Sequence, residues 1–253
     1  MTENGKGSRQ NSPAAPESAG PSPDATPDDS VTRPAGALIV FARLPVEGRV
    51  KTRLAETIGP QAACELYRCF VTDVVLAARR GGSRIHIFVD PPDSESAFRA
   101  WLGDDLTYRP QTGVDLGERM AGAFREVFTT HPQAILIGTD CPDLPGPLID
   151  SALQGLFSCD AVIGPAFDGG YYLIGFRREA FLEEVFSGIE WGSNTVFGAT
   201  MTVLEKTRLN VHVLQEWRDI DKYDDLLSFY ERQRGLPRNH LAAVDFLRER
   251  FSW

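Results

Sequence analysis

Short apolar runs alternate along this chain with stretches of helical periodicity, and that alternation limits the fold more than any other feature. Residues 37–42 (ALIVFA) are apolar throughout, as expected of a strand covered on both faces. Residues 85–89 (IHIFV), 134–138 (AILIG), 161–164, 171–176 (YYLIGF) and 211–214 are further strand candidates. Between the first two runs, Ala63, Leu66, Phe70, Val74 and Ala77 recur at helical spacing, and Arg79-Arg80-Gly81-Gly82 then complements the dipole and stops the helix. Other helical patterns surround Phe98, Trp101 and Leu102 and cover 116–128, 148–157, 180–186, 195–206, 226–230 and 241–251. Strands separated by helices predict a mainly parallel sheet with helices on both faces. In such sheets ligands bind at the carboxyl ends of the strands, so the residues just after each strand carry the functional information.

The chain has 253 residues, enough for one domain over 35–253 to bury a sizeable core without staples. Residues 1–34 are rich in Pro, Ser, Ala, Gly and Asp and nearly lack large apolar side chains, which predicts a disordered tail with no signal-peptide core. The formal net charge of −9 argues against nucleic-acid binding and against docking on anionic membranes. No run is long and apolar enough to span a membrane. Cys64, Cys69, Cys141 and Cys159 form no C-x-x-C or zinc pattern and read as reduced thiols of a cytoplasmic protein.

Directly after the first strand, Arg43, Arg49, Lys51 and Arg53 crowd around Gly48. Four cations at one strand end of an acidic protein point to a polyanion, with glycine admitting close backbone approach; a solvated basic loop is the alternative. Neither the Walker A spacing nor a G-x-G-x-x-G fingerprint is present. After 134–138 comes Thr139-Asp140-Cys141-Pro142-Asp143, where prolines at 142 and 145 stiffen the chain and hold Asp140 at the strand tip. A rigid carboxylate beside a phosphate site suits Mg²⁺ or Mn²⁺. Asp143 is either a further ligand or a helix cap.

Asp168-Gly169-Gly170 lies between two strands, as a hairpin turn, a binding loop or both. Asp115 and Glu118 have capping-box spacing, and Gln111 and Gly113 before them are candidates for base or ribose recognition. Asp219 and Asp221 follow the last strand. Either could complete a metal site with Asp140, and Asp219 is preferred. Trp191 is a candidate lining residue for an acceptor pocket, with Ser193 or Asn194 capping the helix that follows.

Taken in order, VFARLPVEGRVKTRLA, DLGERM, GTDCPDLP, GPAFDGGYYLIGF and RDIDKYDDL resemble the family labelled domain of unknown function 2064, whose members are described as glycosyltransferase-like and in some cases linked to arsenosugar biosynthesis. The resemblance runs from Ala37 to about Tyr230. It implies a single Rossmann-like GT-A fold of the nucleotide-diphospho-sugar transferase type and, more distantly, a likeness to the guanylyltransferases of deazaflavin and molybdenum cofactors. By that resemblance Gly48, Lys51 and Arg53 match the phosphate loop and Asp140 the metal aspartate. Thr-Asp-Cys-Pro stands where GT-A glycosyltransferases have Asp-x-Asp. The implied activity is transfer from a metal-bound nucleotide: glycosyl transfer from a nucleoside-diphosphate sugar, nucleotidyl transfer from a triphosphate, or a pocket that binds without turnover. Lys51 and Arg53 would stabilise the leaving phosphates, and Asp168 would orient an acceptor hydroxyl.

Overall fold

The computed structural model describes Met1 and residues 36–236 and 240–251. The predicted tail over 1–34 lies outside the described residues apart from Met1.

The apolar runs are strands: β1 (Ala37–Arg43), β2 (Arg84–Asp90), β3 (Thr107–Pro110), β4 (Gln133–Ile137), β5 (Ala161–Pro165), β6 (Tyr171–Arg177) and β7 (Val211–Val213). They form one sheet in the order β3-β2-β1-β4-β6-β5-β7. β1 pairs in parallel with β2 and β4, and β2 with β3. β6 runs antiparallel between β4 and β5, and β7 pairs in parallel with β5. The antiparallel strand follows from the short turn between β5 and β6, which leaves no room for a crossover helix.

The helices are α1 (Thr52–Ile58), α2 (Pro60–Arg79), α3 (Glu95–Leu102), α4 (Leu116–Val127), α5 (Gly146–Gly155), α6 (Val196–Lys206), α7 (Tyr223–Arg234) and α8 (Ala242–Arg250). Alternate residues of β1 serve opposite faces of the sheet. Leu38, Val40 and Ala42 join a core with Leu66, Phe70 and Val74 of α2, Ile149 and Leu153 of α5, and Phe229 of α7. Ala37 and Ile39 join one with Met120, Phe124 and Val127 of α4 and Leu204 of α6.

Three elements depart from the sequence expectation. β3 was not anticipated: it is a four-residue edge strand ending in Pro110, too short to print a period of two. α1 occupies a stretch read as loop, so Arg53 lies in its first turn. Residues 178–180 and 183–186 form two short 3₁₀ turns in place of one helical stretch.

The connections from β1 run outward to β2 and β3, then return across it to β4. The crevice beyond the carboxyl ends of β1 and β4 is therefore the switch point at which open α/β sheets bind ligands.

Candidate functional site

The β1–β4 ladder has its last paired residues at Val40 and Ile137. Beyond it the two chains diverge around a cavity of about 640 Å³ whose polar wall includes Arg43, Arg49, Lys51, Arg53, Gln111 and Asp140. Lys51 occupies the N-cap of α1 in a left-handed conformation, φ 47° and ψ 46°, which is uncommon for a residue with a Cβ. This turns its side chain inward, where it is 5% exposed. Its Nζ lies 2.6 Å from Asp140 Oδ1, donates to the Ile220 carbonyl at 2.5 Å, and sits 5.9 Å from the centre of the Phe70 ring. Burial opposes the ammonium charge, but the negative charge and hydrogen bond of Asp140, with help from Asp221, outweigh it and hold its pKa above the ordinary lysine value.

Two of the other cations of the wall are also met by acids. Arg53 Nη1 lies 2.7 Å from Asp221 Oδ2. Arg43 Nε lies 2.8 Å from Asp90 Oδ2, and Arg119 Nη1 lies 3.6 Å from the other oxygen of the same carboxylate. Arg49 is exposed and has no ion-pair partner among the described residues. Gln111 is buried and lines the cavity, and its amide nitrogen donates to the Phe88 carbonyl at 2.7 Å.

The segment after β7 is stitched into this wall by backbone bonds. Phe167 N–H donates to the Trp217 carbonyl, Trp217 N–H to Pro165, and Ile220 N–H to Asp140. Asp221 lines the cavity against Arg53, while Asp219 turns toward Asp168 and Asp140. Burial, followed by the like charge of Asp168 and with a smaller part from Asp140, pushes Asp219 up to about 6.

Hard oxygen donors that repel one another in this way fit a divalent cation. Among the described residues no group of three or more His, Cys, Asp or Glu side chains is gathered as a metal cage. Mg²⁺ takes as few as one or two carboxylates and fills its shell with water and phosphate oxygens, and of these acids Asp140 lines the cavity while Asp219 lies on the segment after β7.

Other candidate residues lie outside this cavity. Gly48 sits in an open turn at φ 74°. Gly113 lines a separate hollow beside α4. Asp168 is exposed, and its Oδ1 accepts the Gly170 N–H at 2.8 Å, as the turn reading requires. Asp115 caps α4 by accepting Glu118 N–H at 2.8 Å. Asp143 is neither cap nor ligand: it is 5% exposed and accepts from Trp217 Nε1 and Gln233 Nε2, both at 3.0 Å, tying the β4 loop to α7. The Cys141 thiol is buried and pushed well above its ordinary value, which removes it as a nucleophile. Trp191 packs edge-on to Tyr171, with ring centres 6.5 Å apart. The α6 N-cap is Thr195, without a side-chain cap.

Sequence reasoning missed Asp90, Arg119 and Tyr67. Asp90 was recoverable as the last residue of a strand; from helix faces Tyr67 reaches the cavity and Arg119 reaches Asp90, and neither leaves a local signal.

Residues 74–193 match the family described as an uncharacterized protein conserved in bacteria, domain of unknown function 2064. A solved protein from Desulfovibrio desulfuricans G20, provisionally named a nucleotide-diphospho-sugar transferase, is 40% identical, with 85% of this chain and 94% of that chain covered and a TM-score of 0.82. This chain belongs to that family. Two more distant structures share the fold. A nucleotidyl transferase from Methanothermobacter thermautotrophicus is 13% identical over 78% of this chain and 97% of its own, with a TM-score of 0.55. CMP:2-keto-3-deoxy-manno-octonic acid synthetase, solved with CTP, is 13% identical over 80% and 100%, with a TM-score of 0.52. No curated protein matches the sequence. The family fold is thus that of the nucleotide-diphospho-sugar transferases, and the α/β architecture expected from the sequence is the one found.

Proposed function

We propose that this protein is a transferase that uses a nucleotide-activated donor, with glycosyl transfer from a nucleoside-diphosphate sugar as the leading reaction. The observation that carries the reading is the convergence of Lys51 and Asp140 in one crevice at the sheet switch point, with Arg43, Arg49 and Arg53 on the same wall. A diphosphate there meets several cations already held in place, so little reorganisation accompanies the charge that builds as it leaves. The 40% identical relative supports the same class.

Lys51 and Arg53 stabilise the departing phosphates, and Arg43 and Arg49 hold the chain in line. Gln111 presents an acceptor oxygen toward the base or ribose; Gly48 and Gly113 shape the loops on either side of the donor site. Asp140 and Asp219 would hold a Mg²⁺ or Mn²⁺ ion, whose chemistry when bound is to neutralise charge on the phosphate oxygens. Asp168 orients the acceptor hydroxyl, whose proton passes to solvent. The acceptor oxygen bonds to the anomeric carbon, and the nucleoside diphosphate leaves with the electron pair of the broken C–O bond. Donor and acceptor are small molecules. Four free thiols and the lack, among the described residues, of a helix long and apolar enough to cross a membrane support a cytoplasmic site of action.

Nucleotidyl transfer is the second reading. It is favoured by the four cations on the wall, since a triphosphate carries more charge. One incubation with Mg²⁺ or Mn²⁺ separates the two. Nucleoside diphosphate released from a sugar nucleotide supports the first, and pyrophosphate released from a triphosphate supports the second. If Asp140→Asn retains full cellular activity, the site binds nucleotides without turning them over.

A further inference from the structure

Where β1 and β4 diverge, a single side chain spans the gap between them. Tyr67 of α2 is 5% exposed, and its phenol oxygen receives the Arg43 backbone N–H at 3.1 Å and lies 2.9 Å from Thr139 Oγ1. Arg43 ends the strand that leads into the cationic loop; Thr139 immediately precedes Asp140. The phenol thus links the two walls of the cavity.

Whichever of the two hydroxyls donates to the other, one hydrogen is left over for the cavity that both residues line. The Arg43 amide can only donate. A phenol carries one hydrogen, and near neutral pH it retains it. Among the described residues the only acceptor for that hydrogen is Thr139 Oγ1. With the threonine as donor, the phenol hydrogen would be the one left for the cavity. Run from the Arg43 amide to the Tyr67 hydroxyl to the Thr139 hydroxyl, the relay leaves the free hydrogen on the residue next to Asp140. The Thr139 hydrogen is then directed elsewhere, and Thr139 is 3% exposed yet lines the cavity.

We propose that Thr139 donates a hydrogen bond to a phosphate oxygen of the bound nucleotide, with Tyr67 as the positioning residue that sets the direction of that hydroxyl. The proposal rests on the phosphate-site reading given above. Phosphate is the matching ligand because it offers only acceptors and because the surrounding wall is cationic.

Pyrophosphate with Mn²⁺ probes this without reference to base or sugar. Its binding to the full chain is measured by calorimetry for wild type, Thr139→Val, Thr139→Ser and Tyr67→Phe, alongside the melting temperature of each unliganded protein. Thr139→Val keeps the branched shape and loses the donor, and its affinity falls about tenfold. Thr139→Ser restores the hydroxyl and stays within about twofold. Tyr67→Phe keeps the ring and frees the hydroxyl to rotate, giving a loss of about three- to fivefold. A purely structural role would lower the unliganded melting temperature and leave the affinity of the folded protein alone. Wild-type affinity in Thr139→Val, or in Tyr67→Phe should the valine variant not fold, overturns this proposal alone. Failure of the wild type to bind pyrophosphate overturns the phosphate site and this proposal with it.

Discussion

The two sides of the crevice are built differently. On the side formed by the ends of β1, β2 and β4, nearly every charge already has a partner: Lys51 with Asp140, Arg53 with Asp221, Arg43 and Arg119 with Asp90. On the side formed by the β5–β6 turn and the segment after β7, Asp168 is exposed and held by one turn bond, and Asp219 is crowded by acids of its own sign. The first side is rigid before any ligand arrives, as a phosphate site should be. The second carries unbalanced negative charge that a cation or an acceptor proton would relieve. The difference suggests that the fold specifies how the nucleotide is held and leaves the acceptor to loops.

The largest expected effect tests the rigid side. Lys51→Ala lowers kcat/KM for the nucleotide donor by about 10²–10³, the scale of losing one charged donor aimed at the leaving group. A loss confined to the acceptor KM would reverse the assignment of the two sides.

Next is an asymmetry within the pair itself. Lys51 is 5% exposed and Asp140 is 53% exposed. Asp140→Asn strands a buried ammonium and costs on the order of 2 kcal/mol, below the value for fully buried pairs because water reaches Asp140. Lys51→Met leaves a solvated carboxylate and costs less than about 1 kcal/mol. Urea denaturation of both variants measures this, and equal losses would mean that the pair is solvated alike at both ends.

The crowded side is tested by pH. A carboxyl raised to about 6 in the fold stabilises the protein only where it stays protonated, and that contribution is lost as pH rises through 6. Asp219→Asn therefore gains stability over wild type on the order of 1–2 kcal/mol above pH 6 and nothing below about pH 4. Asp73 is also raised to about 6 by burial, while capping α8 through the Ala242 and Ala243 amides, so the variant-minus-wild-type difference is the quantity to plot. A constant difference across that range would show that neither burial nor neighbouring charge raises Asp219.

The smallest effect belongs to the exposed acid. Asp168→Asn raises the acceptor KM by less than about tenfold, or lowers kcat, with donor binding unchanged. Altered donor binding would place Asp168 on the nucleotide side.

The same contrast explains what the sequence made legible. The parallel core of the sheet and the cationic loop were readable because buried strands print as apolar runs and a strand end marks its own loop. Lys51 and Asp140 could be paired because both follow central strands. The edge strand β3 was invisible, since four residues with one neighbour need little hydrophobic pattern. Gly48, Gly113, Asp143 and Asp168 show the opposite limit. Turn chemistry and ligand chemistry use the same residue types, and only the fold shows that Asp143 is consumed by Trp217 and Gln233. Tyr67 lay hidden because its position in α2 reads as an ordinary core residue until its hydroxyl is placed.

The central claim is that Lys51 and Asp140 together form the phosphate end of a nucleotide site. Calorimetric titration of sugar nucleotides and nucleoside triphosphates with Mn²⁺ into wild type and Lys51→Ala tests it most directly. The account predicts saturable wild-type binding to at least one nucleotide that weakens tenfold or more in the variant, about 1.4 kcal/mol or greater. Equal affinity in the two proteins, or no nucleotide binding by either, would contradict it.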